Sequence, residues 1–298
     1  MTLVRLNATR TGLEGLPQLE AALQALPSTA RITVMIHGYK YAPGRAGHCP
    51  HDYILSAKPE DLSERAISWP SNLGVGNAHL GIAFGWDGSG SLWRAWKRSA
   101  EAGCLLAQGL DLVADRGCRV DMIAHSLGAR VAISALSRVR SGAVGTMILL
   151  APAEFQVRAC AALFSPAGRT AQVLNVVSRQ NRVFDRGLEW LIAPHRWGER
   201  SLGMGLESPH ANWADLAIDD PAVLPALGVL GYPVAAPKGR VCHWSGYVRA
   251  GLFPLYRDVL DQTLPFAVLK SHLLLAARGA DDRAQRRGPL PFGRQVSF

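Results

Sequence analysis

The sequence predicts a doubly wound α/β fold, a mostly parallel sheet flanked by helices, and three observations carry that expectation. Short runs that are apolar nearly throughout, Ile32–Ile36, Val144–Leu150 and Gln172–Ser178 among them, have the length of strands buried on both faces. They alternate with segments of helical periodicity, the order expected of parallel strands joined by crossover helices. Of the 298 residues, 48% are hydrophobic and only 18% charged, a globular composition that excludes disordered, fibrous and coiled-coil classes.

Taken in order, Leu16, Leu19, Leu23 and Leu26 recur at three and four, which predicts an amphipathic helix over Leu13–Leu26 closed by Pro27. The Ile32–Ile36 run then predicts a strand ending at His37-Gly38. The proline-rich stretch 41–64 reads as an excursion over the sheet's C-terminal edge. Arg65–Trp69 reads as a second strand, stopped by Pro70 and followed by a glycine-rich loop through Gly90. Leu92–Ala114 reads as a long helix, Arg119–Ala124 as a strand and Ser126–Val139 as a helix. Val144–Leu150, a helix including Ala159–Leu163, and the strand Gln172–Ser178 follow. The pattern becomes irregular between 179 and 237, and helices are expected over Arg249–Leu260 and Leu264–Ala277. The expected organisation is a single domain over 1–275, with 41–64 and 179–237 shaping a pocket, and a disordered Arg/Gly/Pro-rich tail over 276–298.

The net charge of +9 raises nucleic acid as a partner, but outside the tail the arginines are scattered singly, so no specific nucleic-acid site is expected. Five cysteines in unrelated contexts, with no C-x-x-C pair, argue against a disulfide framework or zinc knuckle. His48-Cys49-Pro50-His51-Asp52 gathers ligand-type residues, but with no second ligand pair at suitable spacing it reads as a polar loop, and no metal or cofactor is expected. Trp86, Trp93 and Trp96 read as core or pocket wall rather than a stacking platform for bases. The N-terminus lacks the pattern of a signal peptide and no apolar run reaches membrane-spanning length, so the expected location is cytoplasmic.

The chemistry is expected where strands end. Val120-Asp121-Met122-Ile123-Ala124-His125-Ser126-Leu127-Gly128 runs from an apolar strand into a helix through Ser126. A serine in that position sits in a tight turn, closed by small residues two before and two after it, here Ala124 and Gly128. The turn exposes the hydroxyl as a nucleophile and aims the Leu127 amide at whatever it attacks. The alternative is an ordinary helix-capping serine. At the neighbouring strand end, His37-Gly38-Tyr39 offers the Tyr39 amide as a second oxyanion donor, the alternative being a plain turn at Gly38.

With these residues, VMIHGY, ISWPSNLG, DMIAHSLGARVAISAL, MILLAPAEF, LNVVSRQNRVFD and RVCHWSGYVR resemble successive landmarks of the α/β-hydrolase superfamily in its lipase and esterase branch, across roughly 31–260. The usual elbow pattern is G-x-S-x-G, from which Ala124 departs. The resemblance implies a Ser–acid–His triad and cofactor-free hydrolysis of a small-molecule ester. It places the base at His243, before the terminal helices, rather than at His210, His37 or His125. It places the acid at Asp185, with Glu154 after the preceding strand as the alternative. Asn181 stands closer to the strand end; it would orient a neutral imidazole but not balance its cation as a carboxylate does. Two further expectations stay open: an acyltransferase using the same apparatus, and a hydrolase fold retained as a non-catalytic binding module.

Overall fold

The computed structural model describes residues 2–27, 29–59, 67–76, 78–192 and 199–286, the last eight as backbone alone. Eight strands form one sheet: β1 Leu3–Thr9, β2 Gly12–Glu14, β3 Arg31–Ile36, β4 His79–Gly85, β5 Val120–His125, β6 Val144–Leu150, β7 Gln172–Val177 and β8 Trp213–Ala217. Their order across the sheet is β2-β1-β4-β3-β5-β6-β7-β8. The β1–β2 hairpin is antiparallel and the other ladders are parallel. The helices are α1 Leu16–Ala25, α2 Trp69–Asn72, α3 Leu92–Asp115, α4 Leu127–Leu136, α5 Gln156–Leu163, α6 Arg182–Ile192, α7 Val223–Val229, α8 Ser245–Val248, α9 Leu252–Leu260 and α10 Phe266–Arg286.

Alternation along the strands divides the apolar side chains between the sheet's two faces. Val34, Ile36, Met122, Ala124, Met147 and Leu149 pack beneath α1, α3, α4 and α5. Met35, Ile123, Ile148, Leu150, Leu174 and Val176 pack with residues of α7, α9 and α10. Because both faces are covered, the central strands have no polar face, which is why they read as unbroken apolar runs.

Four sequence expectations change. Leu13 belongs to β2, and α1 begins after Gly15, whose φ of 98° turns the chain between them. The strand expected over Arg65–Trp69 falls partly outside the described residues. Its described part leads into α2, where Ser68 Oγ accepts the Ser71 amide and Pro70 sits in the first turn, so the serine and proline together start a short helix. The strand beside β3 is instead β4, inside the stretch read as a glycine-rich loop. There Gly81 and Gly85 are required by packing: a Cβ on Gly81 would lie 2.9 Å from Leu3 and Val75, and one on Gly85 would lie 2.3 Å from Asn7. The segment expected to be irregular over 179–237 contains α6, β8 and α7, and the segment expected as a tail is helical through Arg286; residues 287–298 lie outside the described residues.

Candidate active site

The site is assembled at the C-terminal ends of β3, β5 and β7. Ser126 follows β5 directly, with φ 55° and ψ −124°, a conformation that L residues rarely adopt. Two glycines make that turn possible. A Cβ on Gly128 would come within 2.5 Å of the His37 carbonyl oxygen, and one on Gly38 within 2.9 Å of Ser126 Cβ. Leu127 opens α4, so its amide is among those left without a partner inside the helix. The close approach of Gly38 brings the His37–Tyr39 turn against the serine.

His37 serves that turn and not the hydroxyl. Its Nδ1–H donates to the Gly38 carbonyl (2.9 Å), Nε2 accepts the Trp86 amide (3.1 Å), and the ring stacks on Trp86 at 5.4 Å. Full burial pushes its pKa down to about 3, so the ring stays neutral. His210 accepts the Asn212 amide and packs against Phe164, away from Ser126.

His243 is the imidazole that meets the Ser126 hydroxyl. Its Nε2 lies 2.8 Å from Ser126 Oγ. The loop carrying it is tied back to the end of β7: the Cys242 amide donates to the Gln180 carbonyl (3.1 Å), and Gln180 Nε2 donates to the Gly239 carbonyl (2.6 Å). From below, His125 Nε2–H donates to the His243 carbonyl (3.0 Å). From the side, Phe184 of α6 stacks on the His243 ring at 4.6 Å. Burial, and then the neighbouring His125, hold the His243 pKa well below the ordinary histidine range. An imidazole kept neutral in this way keeps one ring nitrogen free to accept a hydrogen bond.

The expected acid does not face the ring. The acceptor on His243 Nδ1 is Asn181 Oδ1, at 2.6 Å, and Asn181 Nδ2 donates to Asp185 Oδ1 at 3.0 Å. β7 ends at Val177, Ser178 caps a 3-10 turn over Arg179–Asn181, and α6 begins at once. Asn181 therefore occupies the strand-end position, while Asp185 lies one helical turn deeper on the same face. Burial pushes the Asp185 carboxyl up to about 6, opposed by hydrogen bonds from Ser201 and Asn181. Glu154 is committed elsewhere. Its Oε2 pairs with Arg130 at 2.5 Å, its Oε1 accepts the Phe155 amide, and the Arg130 guanidinium lies 3.8 Å over the Trp96 ring.

Beside Ser126 opens a cavity of about 740 Å³. Tyr39, Tyr41, Tyr53, Leu188 and Leu191 of α6, and Trp244 are among the residues that line it. Lys40 lies at its lining, and no carboxylate does among the described residues. The segment 41–64 thus supplies Tyr41, Gly47, His48 and Tyr53, and 179–237 supplies the face of α6. Among the described residues no three His, Cys, Asp or Glu side chains are grouped so as to hold a metal ion, and no helix is long and apolar enough to cross a membrane. His51 of the polar loop is bonded through Nε2 to Asn7 Oδ1 (2.7 Å).

The sheet order and the strained serine turn after β5 are those of an α/β-hydrolase-type fold. No family model and no curated protein matches the chain by sequence. Among solved structures it is similar to the mature Bacillus licheniformis lipase BlEst2, with 11% identity, 80% of this chain and 94% of that one covered, and a TM-score of 0.41. It is also similar to Aspergillus fumigatus lipase B, with 13% identity, 94% and 71% covered, and a TM-score of 0.41.

Proposed function

We propose that the protein is a serine hydrolase that cleaves a carboxylic ester through an acyl-enzyme, with Ser126 as nucleophile and His243 as base. The observation that carries this reading is the 2.8 Å contact between Ser126 Oγ and His243 Nε2 at a strained elbow opening on a cavity. His243 Nε2 takes the hydroxyl proton as Oγ attacks the ester carbonyl, and the Leu127 and Tyr39 amides receive the charge that develops on oxygen. The imidazolium returns the proton to the departing alcohol. Water, activated by the same ring, then releases the acid. Asn181 takes the position expected for Asp185, accepting from Nδ1–H and so leaving Nε2 free to accept from serine. A cavity without carboxylates and with aromatic and aliphatic walls suits an uncharged ester of modest size.

A second reading, a binding module on a hydrolase fold, draws its support from the asparagine on His243, which does not balance the imidazolium charge as a carboxylate does. One experiment separates the two. A fluorophosphonate probe and short p-nitrophenyl esters are offered to the wild type and to Ser126→Ala. The hydrolase reading expects labelling and turnover in the first and neither in the second, at nearly equal thermal stability. Equal behaviour of the two proteins removes it and leaves the binding module.

A further inference from the structure

We propose that Asp185 is a positioning residue: its carboxylate holds the Asn181 carboxamide in the one orientation that presents oxygen, not nitrogen, to His243. The inference rests on the reading of Ser126 and His243 given above and adds a residue to it. A carboxamide is nearly symmetric in shape but opposite in hydrogen-bond sense at its two ends. Turned one way, Asn181 accepts from His243 Nδ1–H and the ring accepts from serine. Turned the other way, its N–H₂ faces Nδ1, the ring must carry its proton on Nε2, and no base faces the hydroxyl.

What decides between the two is whatever lies behind the amide. Asp185 Oδ1 receives both Asn181 Nδ2–H and Ser201 Oγ–H at 3.0 Å. An ionised carboxylate only accepts, so it rejects the turned amide. Its other oxygen is buried without a partner among the described residues. The carboxylate is itself held in place. A Cβ on Gly203 would lie 2.0 Å from Asp185 Oδ1, so the glycine makes room for it. The charged groups acting on it are Glu189, on the same face of α6, and Arg182, at the start of that helix.

Asp185→Asn tests this directly. An amide at 185 that keeps oxygen toward Asn181 and Ser201 puts its N–H₂ in the buried place of the unpartnered oxygen, and the alternative, nitrogen toward Asn181 and Ser201, reverses Asn181 and disarms the ring. The fluorophosphonate labelling rate, measured at a pH where wild-type Asp185 is ionised, is expected to fall by about 10²-fold, the scale of a lost general base. The exchanged pair, Asn181→Asp with Asp185→Asn, reverses the bond between 181 and 185 and the one to Ser201 but keeps an acceptor on His243 Nδ1, and is expected to recover most of that rate. In the exchanged protein a carboxylate touches His243, so the pH midpoint of labelling moves upward from the wild-type value, a shift that mere repair of packing does not produce. Wild-type labelling by folded Asp185→Asn, or an exchanged pair no faster than the single variant, overturns the proposal. An independent readout does not need an active serine: the low-field proton resonance of His243 Nδ1–H is expected in Ser126→Ala and absent when Asp185→Asn is added. Its persistence there overturns the amide assignment, whereas failure of the wild type to label counts against the hydrolase reading alone.

Discussion

At the scale of single residues, the site is a chain of hydrogen bonds in which each member fixes the sense of the next: Ser126 to His243, His243 to Asn181, Asn181 to Asp185. The other buried acid nearby is part of a different structure. Glu154 is buried and paired with the half-buried Arg130, and removing one charge strands the other. Glu154→Gln is therefore expected to cost about 3–5 kcal/mol of stability, read as a fall in the urea midpoint, while the folded protein keeps its fluorophosphonate labelling rate. A large loss of labelling in folded Glu154→Gln would return it to the list of triad acids. The meeting of Ser126 with His243 was legible in the sequence because the strand–turn–helix context fixes the serine and the order along the chain brings a late histidine back to it. The third member was not, since whether Asn181 or Asp185 meets the ring depends on where a 3-10 turn becomes α6, a difference of one turn that no periodicity encodes.

At the scale of elements, α6 joins two roles. Its inner face carries Asp185 and Leu188, and Phe184 leans on the His243 ring at 4.6 Å. Its outer face leaves Trp190 83% exposed. Two substitutions on one helix should therefore part company. Phe184→Ala loses the stacking contact, worth about 0.5–1.5 kcal/mol beyond simple burial, and loosens the base; a several-fold drop in labelling rate is expected. Trp190→Ser should leave both rate and melting temperature nearly unchanged, since exposed substitutions usually fall within about 0.5 kcal/mol. Equal effects of the two would show that the ring contact does not position His243. The strands with β-branched and aliphatic runs were readable. β4 was not, because the glycines that its neighbours demand are the residues that ordinarily signal a loop.

At the scale of the whole molecule, the buried histidines set the response to acid. Burial holds His37 at about 3 and His51 and His125 at about 4, all below the 6.5 of an unfolded histidine. Their contribution to stability is complete above 6.5 and is lost as pH falls toward those values, because the unfolded chain takes up protons that the folded one refuses. Asp121 and Asp185, raised to about 6, act in the opposite sense between 3.8 and 6, as do Glu154 and Asp215, also raised by burial; with His79 and His243 likewise lowered, the histidines are still the larger set. The melting temperature is expected to fall as pH drops from neutral through 6.5 toward 4, with His51→Asn flattening part of that decline. A melting temperature that rises over this interval would show that the acids dominate.

The separation of the paired groups along the chain also has a temporal side. Ser126 and His243 are 117 residues apart, and a ribosome adding roughly 5–20 residues per second needs on the order of 6–23 s to travel from one to the other. Through that interval the nascent chain already holds the elbow serine and the glycines that shape its turn, but not His243, the imidazole that meets it. On the proposed hydrolase reading, reactivity would therefore arrive only after the strands that support the site have been made. A chain cut short before His243 would display the serine without the chemistry.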